Sequence, residues 1–476
     1  MSQPTKYPYL FLYKGICTLH ILLFTYTVSA NTTPSVDPPN IIVILSDDGG
    51  YGDFGCYGSK DVHTPHIDDL AKHGVRFTNS YVTASVCSPS RAGLLTGQYQ
   101  QRFGFDHNPS TLPTAGFSQE DVGLDTNQKT IANYLQTNGY TTIAIGKWHL
   151  GDLAPYHPRN RGFDHFYGFL GGSRSYYPIA PEKTTDLSTL YDDDHIIPED
   201  SIRYLTDDLT DKAITYINRY RKSPFFMYLA FNAVHTPMDV KPETLQKYAH
   251  VGDPLRRQFL ALIDDMDSSI GRIVAKLKEE NLYENTLIIF LNDNGGAVNN
   301  GSDNGFLRGL KGSKWEGGIK VPLLMQWPRK LPQDTVCDAL VSSLDILPTA
   351  VSAASDLLSP NVVTDGINLF DVLNKETAHS FLFWRRGIAK AVRHQDWKLI
   401  KVADNPLLLF DLSEDPGESR NIAATHPNIA HMLLQKLDQW EQQLQNPRWD
   451  SSYGNENQIL KHRMEVIGRE MEKQYP

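Results

Sequence analysis

The chain has few cysteines, no excess of positive charge and, beyond its first thirty residues, no long apolar run. Its 476 residues carry four cysteines. Cys17 lies in the N-terminal stretch, so Cys56, Cys87 and Cys337 remain. That odd number argues against a disulfide framework and leaves one thiol to be explained by chemistry. Lysine and arginine number 45 against 55 acidic residues, a formal net charge of −10. With no basic stripe to release counterions from a phosphate backbone, a nucleic-acid partner is excluded. An anionic substrate gains no long-range attraction either, so a local cluster of cations must hold it. No run after residue 30 approaches the roughly 18 apolar residues of a membrane span. Repeats of solenoid period and low-complexity tracts are also lacking. What remains is an ordinary globular composition, 40% hydrophobic and 21% charged, long enough for one large core with a smaller unit beside it.

Residues 1–30 read as a signal peptide. Lys6 and Lys14 make a positive start, Gly15 to Ala30 is mostly apolar, and Val28-Ser29-Ala30 offers a small-residue cleavage site. An uncleaved anchor and a buried first helix are the rival readings. Export is expected: periplasmic or extracellular in a bacterium, otherwise into the secretory pathway.

Four apolar runs end abruptly in polar residues. Ile41 to Leu45 meets Ser46-Asp47-Asp48-Gly49-Gly50, and Thr286 to Leu291 meets Asn292-Asp293-Asn294-Gly295-Gly296. Thr141 to Ile145 meets Gly146-Lys147-Trp148-His149, and Phe225 to Phe231 meets Asn232-Ala233-Val234-His235-Thr236-Pro237. Continuous rather than alternating runs suit strands covered on both faces. Helical spacing at Ile67 to His73, Thr130 to Thr137, Leu209 to Tyr220 and Arg257 to Glu279 completes an α/β alternation. The expected fold is a large, mostly parallel central sheet flanked by helices, over residues 39–375. After about Asn374 the pattern changes to short, partly alternating strands, a turn at Asp415-Pro416-Gly417 and one helix over Ile429 to Leu444. Residues 376–476 are therefore expected to form a smaller antiparallel-sheet subdomain with one packed helix and, after Asn446, a polar irregular tail.

In parallel sheets, ligands bind beyond the carboxyl ends of the strands, so the polar clusters should converge on one edge. Asp47, Asp48, Asp293 and Asn294 are oxygen donors on two strand ends, which suits a hard cation, Ca²⁺ or Mg²⁺, better than zinc. Either pair alone would read as a turn dipeptide; together, on equivalent strand ends, they read as ligands. Cys87-Ser88-Pro89-Ser90-Arg91 opens a helix, with Ser88 placed to cap it and Arg91 one turn along. A helix start stabilises an anionic nucleophile, although a lone cysteine is more often a small buried hydrophobe. Lys147 and His149 would point the same way if that strand end stays extended. With His235, Lys311 and Arg91 they would form a cationic pocket for a tetrahedral oxyanion. Arg174, Tyr176, Tyr177, Trp315, Arg385 and Arg386 are candidates for binding the organic part of a substrate, with structural aromatics and solvated charges as the alternative.

Cys-Ser-Pro-Ser-Arg followed by Ala-Gly-Leu-Leu-Thr-Gly resembles the signature of the type I, formylglycine-dependent sulfatases of the alkaline phosphatase superfamily. Ser46 to Asp53, Thr64 to Asp68, Gly146 to Gly151, Arg161 to Asp164, His235 to Pro237, Asp293 to Gly296 and Glu316 to Gly318 match in the family's order. The phrases Trp397 to Ile400 and Asp415 to Glu418 resemble its C-terminal part. The resemblance implies that a maturation enzyme, a formylglycine-generating or sulfatase-maturating one, oxidises Cys87 to formylglycine. Of the two hydroxyls of the hydrated aldehyde, one attacks sulfur and the other later expels sulfate. It implies one Ca²⁺ held by Asp47, Asp48, Asp293, Asn294 and residue 87. Arg91, Lys147 and Lys311 would stabilise developing charge, His149 would act as a base and His235 would serve the leaving oxygen. The implied activity is sulfate-ester hydrolysis on a sulfated carbohydrate. A small aryl sulfate, and a phosphonate or phosphate ester of the same superfamily, are the alternatives. A cysteine-thiolate hydrolase and a non-catalytic carbohydrate-binding protein with Cys87 unmodified complete the set.

Overall fold

The strands that position the polar clusters belong to one ten-stranded sheet. The computed structural model describes residues 37–355, 362–451 and 455–465; the expected signal peptide, residues 1–30, lies outside the described residues. In chain order the strands are β1 (Asn40–Ser46), β2 (Val75–Phe77), β3 (Ser80–Tyr81), β4 (Thr141–Lys147), β5 (His165–Phe169), β6 (Tyr191–Asp192), β7 (His195–Ile196), β8 (Phe225–Ala230), β9 (Thr286–Asn292), β10 (Leu323–Gln326), β11 (Thr335–Cys337) and β12 (Val341–Ser342). The sheet order is β11-β2-β10-β9-β1-β8-β4-β5-β6-β7, and β3 pairs separately with β12. The central five strands, β9-β1-β8-β4-β5, run parallel, and antiparallel pairings appear only toward the edges.

Alternate residues of β1 enter different cores, which is why its sequence is apolar without alternation. Ile41, Val43 and Leu45 pack with α2 (Cys87–Thr96), α3 (Ile131–Thr137) and α8 (Ile346–Ser355). Ile42 and Ile44 pack with α1 (Pro65–Lys72), α4 (Leu205–Tyr220) and α6 (Pro254–Glu279). Each apolar side chain so buried contributes about 1.5–3 kcal/mol of transfer free energy. Asp253 caps α6 by accepting from the backbone of Leu255 and Arg256, and Thr130 caps α3. No helix among the described residues is long and apolar enough to cross a membrane.

The C-terminal region holds the expected antiparallel sheet, of four strands: β13 (Leu382–Arg386), β14 (Ala389–His394), β15 (Trp397–Val402) and β16 (Leu408–Asp411). The basic end of β13, Arg385-Arg386, resembles a solvated loop in sequence but is paired with β14. One face of this sheet packs on α10 (Pro427–Glu441) through Leu433, Leu437 and Trp440. The other meets Trp315 and Ile319 at the short α7 (Glu316–Ile319). Beneath α7 lies a buried ion network: Lys398 Nζ reaches Glu316 and Glu418 at 2.8 Å each, and Tyr81 donates to Glu316 at 2.5 Å. The tail is not irregular throughout. Glu456–Glu465 forms a helix (α11) whose buried residues Leu460 and Met464 stand one turn apart, too sparse a stripe to read from sequence.

Candidate functional site

Register sets the four polar strand ends level. Ser46 of β1 lies opposite Asn292 of β9, Leu45 opposite Ala230 of β8, and Ala230 opposite Gly146 of β4. Backbone bonds then tie the ends together beyond the sheet. Asp293 N donates to Ser46 O (3.0 Å), Asp47 N to Ala233 O (2.9 Å) and Val234 N to Asp47 O (2.8 Å). The chain turns sharply at Asp48, a left-handed residue with φ 65°. Asn300 secures that turn by donating to both Asp48 O and Val234 O at 3.1 Å. Nothing in the sequence distinguishes Asn300 from the turn dipeptide Asn-Gly.

Cys87 begins α2 as expected, but Ser88 does not cap it. Val86 occupies the capping position in extended conformation, and the Ser88 hydroxyl donates instead to His149 O. The Cys87 sulfur lies 3.7 Å from Asp47 Oδ1, 4.0 Å from Asp48 Oδ1 and 3.1 Å from Lys311 Nζ. Lys311 Nζ also donates to Asp48 Oδ2 at 2.7 Å, and Lys147 Nζ reaches Asp47 Oδ2 at 2.5 Å. Arg91, fully buried, forks onto Asp293 Oδ2 through Nε (2.9 Å) and Nη2 (2.8 Å). Such charges survive burial only because each has a partner.

His149 reaches the site by a different route from the one its spacing suggests. The strand does not stay extended: His149 has φ 60°, and its ring lies against Gly172. A Cβ at Gly172 would come within 2.8 Å of that ring, so the glycine is needed there. Burial, then the nearby Lys147, Arg91 and Lys311, holds the imidazole well below its usual pKa and hence neutral, and its Nδ1 has no hydrogen-bond partner. His235 Nδ1 faces Thr236 O at 2.7 Å, and its Nε2 lies 3.5 Å from Asp48 Oδ2. Burial pulls this ring down to about 4 against the opposing pull of Asp48. Burial likewise pushes the Cys87 thiol up to about 12 although Lys147 and Lys311 oppose it, so an unmodified Cys87 stays a thiol at neutral pH.

The residues expected to meet the organic part of a substrate are mostly engaged inside the protein. Arg174 is buried and pairs with Glu199 at 2.9 Å. Tyr176, fully buried, donates to Asn232 O and His235 O, and half-buried Tyr177 donates to Val240 O. Trp315 is buried against Phe410 of the four-stranded sheet, under the guanidinium of Arg308. Arg385 forks onto Asp106 and donates to Gln445 O, and Arg386 pairs with Glu456. Arg174, Tyr176 and Arg385 are buried with their polar atoms engaged inside the fold, and Trp315 is buried with its indole Nε1 unpartnered, so none of the four presents an exposed face to the organic part of a substrate.

The donor set fits a hard cation. Ligand atoms of Asp47, Asp48, Cys87 and His235 lie within 4.8 Å of one another. Asn294 donates through Nδ2 to Asp48 Oδ1 at 2.8 Å, while its buried Oδ1 has no partner. An orphaned carbonyl oxygen beside carboxylates is an oxygen-ligand position. The charges of Asp47, Asp48 and Asp293 are matched by Arg91, Lys147 and Lys311, so a divalent cation would leave the pocket positive and suited to an anionic ester.

A level row of acids and cations at the carboxyl edge of a doubly covered sheet defines a hydrolase built around a bound oxyanion. The Sulfatase family model matches residues 39–357, and the model of the N-sulphoglucosamine sulphohydrolase C-terminal region matches residues 311–443. The chain is 31% identical to human arylsulfatase H, over 84% of this chain and 90% of that protein. It is 30% identical to mouse steryl-sulfatase, over 85% and 82% respectively. Among solved structures, Ps i-CgsB in complex with k-i-k-neocarrahexaose is 34% identical with a TM-score of 0.81, covering 89% of this chain and 97% of its own. The chain belongs to the sulfatase family, the formylglycine-dependent group within the alkaline phosphatase superfamily, and is a sulfuric ester hydrolase.

Proposed function

We propose that this protein removes sulfate from a sulfated carbohydrate, using formylglycine made from Cys87 and one bound Ca²⁺. The observation that carries the reading is the position of the Cys87 sulfur, between the carboxylates of Asp47 and Asp48 and the ammonium of Lys311. The unoxidised thiol, held protonated, is a poor nucleophile, which favours modification over a thiolate mechanism. Formylglycine would supply a hydrated aldehyde as nucleophile, and the cation, held by Asp47, Asp48, Asp293, Asn294 and residue 87, would polarise the sulfate.

The chain's own residues do the rest. Lys147 and Lys311 place positive charge at the pocket wall, where sulfate oxygens gain charge in the transition state. Arg91 holds Asp293 and thereby the start of α2 against the end of β9. Neutral His149, with a free nitrogen, is equipped to accept a proton. His235 can pass a proton to a leaving sugar oxygen, and an arriving anionic ester raises its affinity for that proton. The carbohydrate preference is supported by the oligosaccharide complex of the relative that is 34% identical. Export, and maturation by a formylglycine-generating enzyme, follow from the same reading and from the N-terminal pattern of Lys6, Lys14 and the apolar stretch. Mass analysis of the peptide containing residue 87, beside turnover of a carbohydrate sulfate, tests the proposal. Full activity in protein whose Cys87 remains a free thiol would refute it.

A further inference from the structure

We propose that Arg463 is a positioning residue that acts through Lys311, which makes α11 a working part of the catalytic centre. The inference rests on the reading of Lys311 given above. Cys87 and Asp48 are carried by a helix start and a strand end, but Lys311 lies in a loop with no regular structure of its own. Its ammonium nevertheless has to stay 3.1 Å from the Cys87 sulfur and 2.7 Å from Asp48. A long flexible side chain can hold such a place only if its backbone is fixed.

Two of the bonds that fix this loop come from segments beside the site: Lys311 N donates to Gly296 O at 2.9 Å, and Gly312 N to Ser85 O at 2.6 Å. Two more come from α11, some 150 residues further along the chain. Arg463 Nη1 donates to Lys311 O at 3.0 Å, and Lys314 N donates to Met464 Sδ at 3.2 Å. The guanidinium lies so close over the loop that a Cβ at Gly312, which sits at φ +89°, would overlap it. Only glycine leaves room for both the turn and the arginine. The helix is anchored independently at its other end, where Glu456 pairs with His107 at 2.8 Å and with Arg386. Arg463 is therefore a strut from a fixed helix to the carbonyl of a catalytic lysine.

A misplacement of about 1 Å in a catalytic group can cost on the order of 10²-fold. Arg463→Ala is expected to lower kcat/KM for an activated aryl sulfate about tenfold, in protein whose residue 87 is verified by mass as converted. It should also weaken the thermal shift produced by inorganic sulfate. Lys311→Ala should lose more, and the double variant Lys311→Ala/Arg463→Ala should be no worse than Lys311→Ala alone, because the strut then has nothing to position. Arg463→Lys, which keeps one donor, should recover part of the loss, and His462→Ala on the exposed side of the same helix should match wild type. If Arg463→Ala does not fold, Arg463→Lys and Arg463→Gln carry the same cycle. Wild-type kcat/KM in Arg463→Ala, or additive losses in the double variant, would overturn the proposal. An inert Lys311→Ala would instead overturn the role assigned to Lys311, and the strut with it.

Discussion

Arg91 and Asp293 meet in a buried fork, with Nε and Nη2 both donating to Oδ2, at 2.9 and 2.8 Å. Arg91 stands one turn from Cys87 on α2, and Asp293 follows the last residue of β9, so this pair fixes the rotation of the helix that presents residue 87. Arg91 Nη1 donates to Lys147 O at 2.9 Å, which ties in a third strand end. The site is thus assembled by side chains that also hold its scaffold together.

Cys87→Ala should abolish sulfate-ester turnover while leaving the melting temperature close to that of wild type. The residue is small and buried, and alanine keeps its Cβ while removing only the group beyond it. Circular dichroism and a progress curve on the same sample check this. Residual turnover of more than a few per cent of wild type would point to a different nucleophile.

Chelation should remove activity and lower the melting temperature, and Ca²⁺ should restore both. A ligand present at 100 times its Kd stabilises the native state by about 2.7 kcal/mol. Asp47→Ala and Asp293→Ala should lose the calcium-dependent shift. Stoichiometric zinc in the purified protein, with recovery only by zinc, would show that the oxygen-ligand assignment is mistaken.

A sugar alkoxide is a far stronger base than a nitrophenolate and needs a proton as it leaves. His235→Ala should therefore cost on the order of 10²–10⁴-fold on a carbohydrate sulfate. The same variant should lose much less on an activated aryl sulfate, measured in single turnovers with chemistry limiting. Equal losses on both substrates would mean that His235 only positions the sulfate.

Lys398 is fully buried between two carboxylates, Glu316 and Glu418, at 2.8 Å from each. Lys398→Met strips Glu418 of its cation and leaves Glu316 only Arg393, at 3.6 Å, in the contact between the small sheet and α7, and should destabilise the fold by about 3–5 kcal/mol. Chemical denaturation at neutral pH measures this. A Lys398→Met/Glu418→Gln double variant should recover part of the loss, because one of the stranded charges is then gone.

His379 Nε2 lies 2.7 Å from the buried carboxylate of Asp345, which also accepts from the backbone of Ser342 and Ile367. Burial disfavours the imidazolium, but Asp345 outweighs it and raises the pKa above the usual histidine value. A raised folded-state pKa stabilises the protein fully below about 6.5, the unfolded value. The contribution then fades as pH climbs through the higher folded-state value. Melting temperature followed from slightly acidic to mildly alkaline pH should fall more steeply in wild type than in His379→Gln. Parallel curves would show that the pair is not ionised.

The amino-acid sequence alone is enough to specify the central sheet, because strands buried on both faces must be apolar at every position, as β1 and β9 are. It also determined which polar clusters face one another, since parallel strands deliver their carboxyl ends to a single edge. Asp47, Asp48, Asp293 and Lys147 were legible for that reason, and Cys87 and Arg91 from the helix start that carries them. The rest is settled by packing between segments remote in sequence. His149 enters through a left-handed turn against Gly172, and Asn300 fastens Asp48 from a loop some 250 residues away. Arg385 and Arg386 read as substrate-binding candidates or solvated charges because their partners, Asp106 and Glu456, are remote in sequence. The tail became a helix on the strength of Leu460 and Met464, which have a surface to bury against only once the sheets have come together. A sequence carries periodicity and local turn chemistry; the pairing of distant charges, and what covers an aromatic face, are fixed only by packing.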